Sequence, residues 1–142
     1  MRCVLILALL TAAPALAEGD IFSRLEGVYG AAEDEELSCA TNPHRLSFMQ
    51  SPPHGFLKWK EEWVQSGGLL SDIAVYDLIQ VTDAEVVMRL EGEHLRTEAG
   101  DRVFWIMRPN EDFTGYCWGR TDWPVVRCVW PQVRCPNEAP TS

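Results

Sequence analysis

Five cysteines, three histidines and six tryptophans are the side chains of this 142-residue chain with the most distinctive chemistry. Cys3 lies in an export-type leader, which leaves Cys39, Cys117, Cys128 and Cys135. With His44, His54 and His94 these thiols could hold zinc. Structural zinc sites, however, draw ligands in close pairs of the CxxC or HxxxH kind, and the chain has neither. An even thiol count in an exported chain reads instead as two disulfides, with three possible pairings. Thr121-Asp122-Trp123-Pro124 is a turn-type tetrapeptide between two strand-like runs, Tyr116–Arg120 and Val125–Trp130. If those four residues form the loop, Arg120 faces Val125 and Cys117 faces Cys128. Directly opposed residues bring their Cβ atoms to about 4.5–5.5 Å, close to disulfide range. Cys39 then joins Cys135. The rival pairing is Cys128–Cys135 with Cys39–Cys117.

Catalysis has little to work with, and no catalytic residue, metal or cofactor is assigned. There is no G-x-S-x-G elbow and no phosphate-cradling glycine loop. His44 and His54 lie near Ser47 and Ser51, but proximity in sequence does not make a triad. His44 follows Asn42-Pro43 and is expected in a turn. Glu91 and Glu93 share a strand face with Arg89. As an acid–base pair they would need one desolvated carboxyl, whereas their neighbours suggest cross-strand ion pairs on a wet face. The run Glu33-Asp34-Glu35-Glu36 lacks the alternating oxygen ligands around a glycine turn that calcium requires, so it reads as a solvated loop.

The tryptophans carry the functional expectation. Trp59, Trp63, Trp105, Trp118 and Trp130 fall in strand-like runs. Bulky rings either fill a small β-core or line a pocket or contact surface. Trp59, Trp105 and Trp118, with Tyr29, are the candidate ligand-binding residues. Trp123 differs, because it sits in the turn between the two bridged strands. Displayed there beside Arg120 and Asp122, it is a candidate anchor for a protein partner.

The elements that must position these side chains are short. Gly19–Leu25 reads as one helical turn and Gly27–Gly30 as a first strand. Further strand-like runs are Arg45–Gln50, Phe56–Trp63, Ile73–Val81, Val86–Glu93, His94–Glu98, Val103–Arg108, Tyr116–Arg120 and Val125–Trp130. In Phe56–Trp63, Leu57 and Trp59 share a face. In Val86–Glu93, Val86, Met88 and Leu90 share a face, which is the period of a half-buried strand. Glu98-Ala99-Gly100-Asp101 is a hairpin turn signal. Lys60–Leu70 is the best remaining candidate for a helical turn. About eight short strands with turn signals between them predict an all-β, antiparallel barrel or sandwich.

Length and charge set the outer bounds. A 46% hydrophobic, 23% charged composition fits one globular domain. Residues 1–17, with Arg2, an apolar Val4–Leu10 and Ala15-Leu16-Ala17, read as a signal peptide. The domain is then 18–135, with a loose tail at 136–142. The expected location is the periplasm or the extracellular space, with no membrane span. Twelve Lys and Arg against 21 Asp and Glu give a net charge of -9. That argues against nucleic acid and anionic membranes and would steer a cationic protein partner.

At Phe22-Ser23-Arg24-Leu25-Glu26-Gly27-Val28-Tyr29 the chain resembles the start of a lipocalin-like barrel. That family opens with a short helical turn, then a glycine, any residue and an aromatic that plugs the closed end, often under an arginine from the last strand. Tyr29 takes the aromatic's place where Trp is usual, and Arg127 is the expected arginine. The resemblance implies an up-and-down eight-stranded barrel with an interior for a small apolar ligand; the expected protein is a monomer that holds a small apolar or aromatic molecule. The alternative is an acidic interaction module that binds a basic enzyme through the Trp123 turn. A void between the inward side chains would favour the first, a filled interior the second.

Overall fold

The computed structural model describes residues 19–136 except Ser66. The leader expected at 1–17 and all but the first residue of the expected tail lie outside them. One helix, α1 (Gly19–Leu25), precedes eight strands: β1 (Gly27–Ala31), β2 (His44–Gln50), β3 (Pro53–Val64), β4 (Leu70–Val81), β5 (Val86–Leu90), β6 (Trp105–Pro109), β7 (Gly115–Arg120) and β8 (Val129–Arg134). Each strand pairs antiparallel with the next, and β8 returns to β1 to close the barrel. Closure matters for strands this short, because it leaves no free edge of unpaired backbone groups.

In such a meander the connections alternate between the two ends. The tight β2–β3, β4–β5 and β6–β7 turns share one end with α1. Phe22 of α1 stacks on Phe48 at 4.5 Å, and Leu25 is fully buried. Leu46, Val86, Met88 and Met107 are almost solvent-free and fill this end. The strand period explains the choice: Val86 and Met88 alternate along β5, and Val86 sits opposite Met107 on β6. The outward Val87 and its partner Ile106 are buried as well.

Tyr29 is completely buried above α1, and its hydroxyl donates to Leu25 O at 2.6 Å. The arginine over it is Arg134, not the expected Arg127. Its guanidinium lies 4.8 Å from the ring centroid and donates to Tyr29 Oη, Arg24 O, Glu26 O and Phe113 O at 2.7–3.1 Å. Arg127 is the arginine of the run Val125–Trp130, which reads as the last strand. That run is mostly loop: Arg127 N donates to Pro124 O at 2.9 Å and Arg108 Nη1 to Val125 O at 3.1 Å, so these groups are turned away from a ladder. The last strand begins at Val129.

The disulfides are Cys39–Cys135 and Cys117–Cys128, both with a Cα separation of 5.5 Å. The favoured pairing holds although the register behind it does not, since Trp118 lies opposite Val129. Two further expectations give way. Lys60–Leu70 is no helical turn: β3 runs on to Val64, pairing with Leu70 across a short loop, with a register shift between Lys58 and Trp63. His94–Glu98 is no strand; an isolated Arg96–Arg102 bridge is its one sheet-like pairing. Among the described residues no helix is long and apolar enough to cross a membrane.

Candidate ligand cavity

Above the apolar plug the barrel is hollow. A cavity of about 600 Å3 occupies the half of the interior remote from α1. Strand alternation supplies its wall: Leu57 and Trp59 from β3, Tyr76 from β4, Leu90 from β5, Trp105 from β6, Tyr116 and Trp118 from β7, with Trp63 and Trp130 near the rim. Of the four ligand-binding candidates read from the sequence, Trp59, Trp105 and Trp118 line it. Tyr29 lies one layer below, its ring 5.0 Å from that of Tyr116.

The rings brace one another. Tyr76 stacks on Trp118 at 5.8 Å, Trp105 meets Trp118 edge-on at 6.2 Å, and Trp59 meets Trp63 at 5.1 Å. The Trp105 indole N–H donates to the Glu93 carboxylate, at 3.1 Å to one oxygen and 3.3 Å to the other. Such contacts fix ring orientation in the absence of a filled core.

His44 and Tyr116 form the polar part of the floor. Each is 3% exposed, and His44 Nε2 lies 2.6 Å from Tyr116 Oη. Burial pulls the imidazole down to about 4, so His44 is neutral at neutral pH. Burial also pushes the Tyr116 and Tyr76 hydroxyls well above the usual phenol range, helped at Tyr76 by the Glu93 carboxylate. A neutral imidazole and a phenol hold two polar hydrogens between them, and their mutual bond uses one. His44 was expected in a turn; it instead opens β2, opposite both Tyr29 and Trp59.

The mouth is acidic. Glu33, Asp34 and Glu35 line it from the β1–β2 connection. Asp34 caps a 3-10 turn at Glu35–Leu37 by accepting from Glu36 N at 2.9 Å. Leu37 packs against the core cluster and holds the loop over the barrel. The expected plain solvated loop is thus part of the cavity wall.

Trp123 leans onto the mouth rather than projecting from it. It meets Trp105 edge-on at 6.0 Å and Trp130 at 6.1 Å, and the Arg127 guanidinium lies 4.2 Å from its ring centroid. Arg120 and Asp122 form a two-pronged ion pair at 2.9 and 2.7 Å. The three partner-binding candidates are therefore brought together. The most exposed apolar groups of that loop are Val125 and Val126, at 81% and 94%. Glu91 is exposed and Glu93 is held by Trp105, so the two carboxylates form no acid–base pair. Among the described residues no group of three or more His, Cys, Asp or Glu is arranged to hold a metal ion.

Sequence reasoning missed Tyr76, Tyr116 and the acidic mouth. The two-residue spacing of Tyr116 and Trp118 could have revealed Tyr116, and the alternation in Ile73–Val81 could have revealed Tyr76. Nothing in the local sequence marks Glu33–Glu35 as lining. No family model, curated protein or solved structure matches this chain.

Proposed function

We propose that this protein is an exported, lipocalin-like binding barrel that holds one small, partly apolar or aromatic molecule without acting on it chemically. The observation that carries the reading is the ring-lined cavity of about 600 Å3. An eight-stranded barrel is just wide enough either to be filled by its own side chains or to keep room for one small ligand. Typical small-molecule pockets measure about 300–1,000 Å3 and combine apolar walls with a few polar groups. The opening turn, the glycine–aromatic start of β1 and the Arg134–Tyr29 contact support the lipocalin-like reading, and two disulfides suit an oxidising compartment.

Titration with retinoids, fatty acids, haem and neutral naphthyl compounds, followed by tryptophan fluorescence, tests it. The expected result is saturable 1:1 quenching by at least one class, abolished in Leu90→Trp, which fills the cavity from its wall. Flat titrations across all four classes would reject the reading.

One observation keeps the interaction-module alternative in play: Val125 and Val126 stand exposed on a loop tied by Cys117–Cys128. A pre-ordered loop lowers the entropic cost of docking a partner. A pull-down in which Val126→Asp or Trp123→Ala releases a salt-sensitive basic protein would favour it.

A further inference from the structure

From the lining of this cavity we infer that its ligand is an organic cation: an amine or quaternary ammonium at the mouth, attached to a flat apolar body that carries a hydrogen-bond acceptor inward. The inference rests on the binding-barrel reading and deepens it.

Charge comes first. Three acidic residues, Glu33, Asp34 and Glu35, line the mouth, and among the described residues no Lys or Arg lines the cavity. Glu93 adds a fourth carboxylate at the Trp105 indole. The nearby Arg120 is tied to Asp122 by both ends of its guanidinium, and Arg127 lies on Trp123. His44 is neutral above about pH 4. A fatty-acid carboxylate would thus meet like charge at the rim and find no cation inside.

The rings point the same way. Trp59 and Trp105 in the wall and Trp63 and Trp130 near the rim line the same cavity as those acidic residues. Indole faces carry negative quadrupole density and attract ammonium groups, trimethylated ones included, most strongly where water is displaced.

Independent of the acidic loop, the interior holds polar groups that lack a counterpart. Tyr76 lines the cavity and is 9% exposed, and no described residue hydrogen-bonds its hydroxyl. The His44–Tyr116 pair keeps one hydrogen beyond its mutual bond. Buried donors are almost always satisfied, so these groups call for an ether, carbonyl or hydroxyl oxygen, or a ring nitrogen, on the ligand.

The test uses three probes that share one body and one ether oxygen: 2-(2-naphthyloxy)ethyl-trimethylammonium, 2-(2-naphthyloxy)ethanol and 2-naphthyloxyacetate. Calorimetric titration of the mature, oxidised protein at low salt is expected to rank cation, alcohol, anion. About tenfold should separate the cation from the alcohol, and more the cation from the anion. The variant Glu33→Gln/Asp34→Asn/Glu35→Gln keeps an Asn cap on the 3-10 turn, and should cut the cation's advantage several-fold while leaving the alcohol's affinity unchanged. Equal affinities for cation and alcohol, or a preference for the anion, would overturn the charge assignment and leave the binding barrel standing. If none of the three probes binds, the charge assignment falls, and the binding barrel falls with it only if retinoids, fatty acids and haem give flat titrations as well.

Discussion

At the residue scale, His44 couples the cavity floor to pH. In the folded protein it titrates near 4, against an ordinary 6.5. Between those values the unfolded chain binds a proton that the folded chain refuses. Its contribution to stability is therefore complete above about pH 6.5, is lost as pH falls through that window, and levels off below about pH 4. The full effect is roughly 3 kcal/mol. Urea denaturation of wild type and His44→Gln from pH 7.5 to 4 checks this; the variant should lose roughly 2–3 kcal/mol less over that range, and parallel curves would exclude it. Arg134 supports a second residue-scale prediction. Its planar fork serves the oxygens of Tyr29, Arg24, Glu26 and Phe113 at once, and a lysine ammonium cannot reproduce that fan. Arg134→Ala should cost about 2–4 kcal/mol, with Arg134→Lys recovering less than half. Arg127→Ala should cost under about 1 kcal/mol, since it removes a single ring contact on the surface. Thermal or urea unfolding distinguishes the two positions.

Among the elements, the β1–β2 connection does most for the site. It carries the acidic mouth, packs the half-buried Leu37 against the core, and folds back against β1 at Gly30. A Cβ on Gly30 would lie 2.1 Å from Cys39 N and 2.6 Å from Ser38 C, both backbone atoms. That backbone is pinned by the Cys39–Cys135 bridge and cannot simply yield. Gly30→Ala should therefore destabilise the fold by about 2–4 kcal/mol and weaken ligand binding beyond that loss, because the loop is part of the wall. Denaturant titration combined with probe affinity under folding conditions checks both. Binding unchanged in a fully folded Gly30→Ala would show that the loop's position is irrelevant to the cavity.

For the whole molecule, the two disulfides differ in what they constrain. Cys39–Cys135 spans 96 residues and holds the seam where β8 meets β1, whereas Cys117–Cys128 spans 11 within one hairpin. In the chain-entropy account the long loop contributes nearly 5 kcal/mol and the short one about 3. The pair Cys39→Ala/Cys135→Ala should accordingly lower stability by about 1–2 kcal/mol more than Cys117→Ala/Cys128→Ala, measured by urea unfolding under oxidising conditions. The reverse order would place the weight on native-state strain in place of loop length.

Period-two alternation and turn residues carried the all-β class, the helical first turn and three of the lining tryptophans, because those properties depend on residues close along the chain; the even thiol count carried the existence of two disulfides, whereas their pairing joins residues as far apart as Cys39 and Cys135 and was argued from a register the barrel does not have. Val125–Trp130 shows the limit: its β-branched and aromatic residues read as a strand, yet hydrogen bonds from Arg108, which is distant in sequence, hold much of it as loop, and the stacking arginine moves to Arg134. His44 shows the same limit from the other side, since a residue after proline looks like a turn until the Trp59 and Tyr116 rings close over it. Whether eight strands would fill their interior or leave it open, and which loop would fold over the mouth, depended on how side chains from all eight strands met across the barrel. Volume left between residues far apart in sequence is a property of the closed sheet, and no local pattern encodes it.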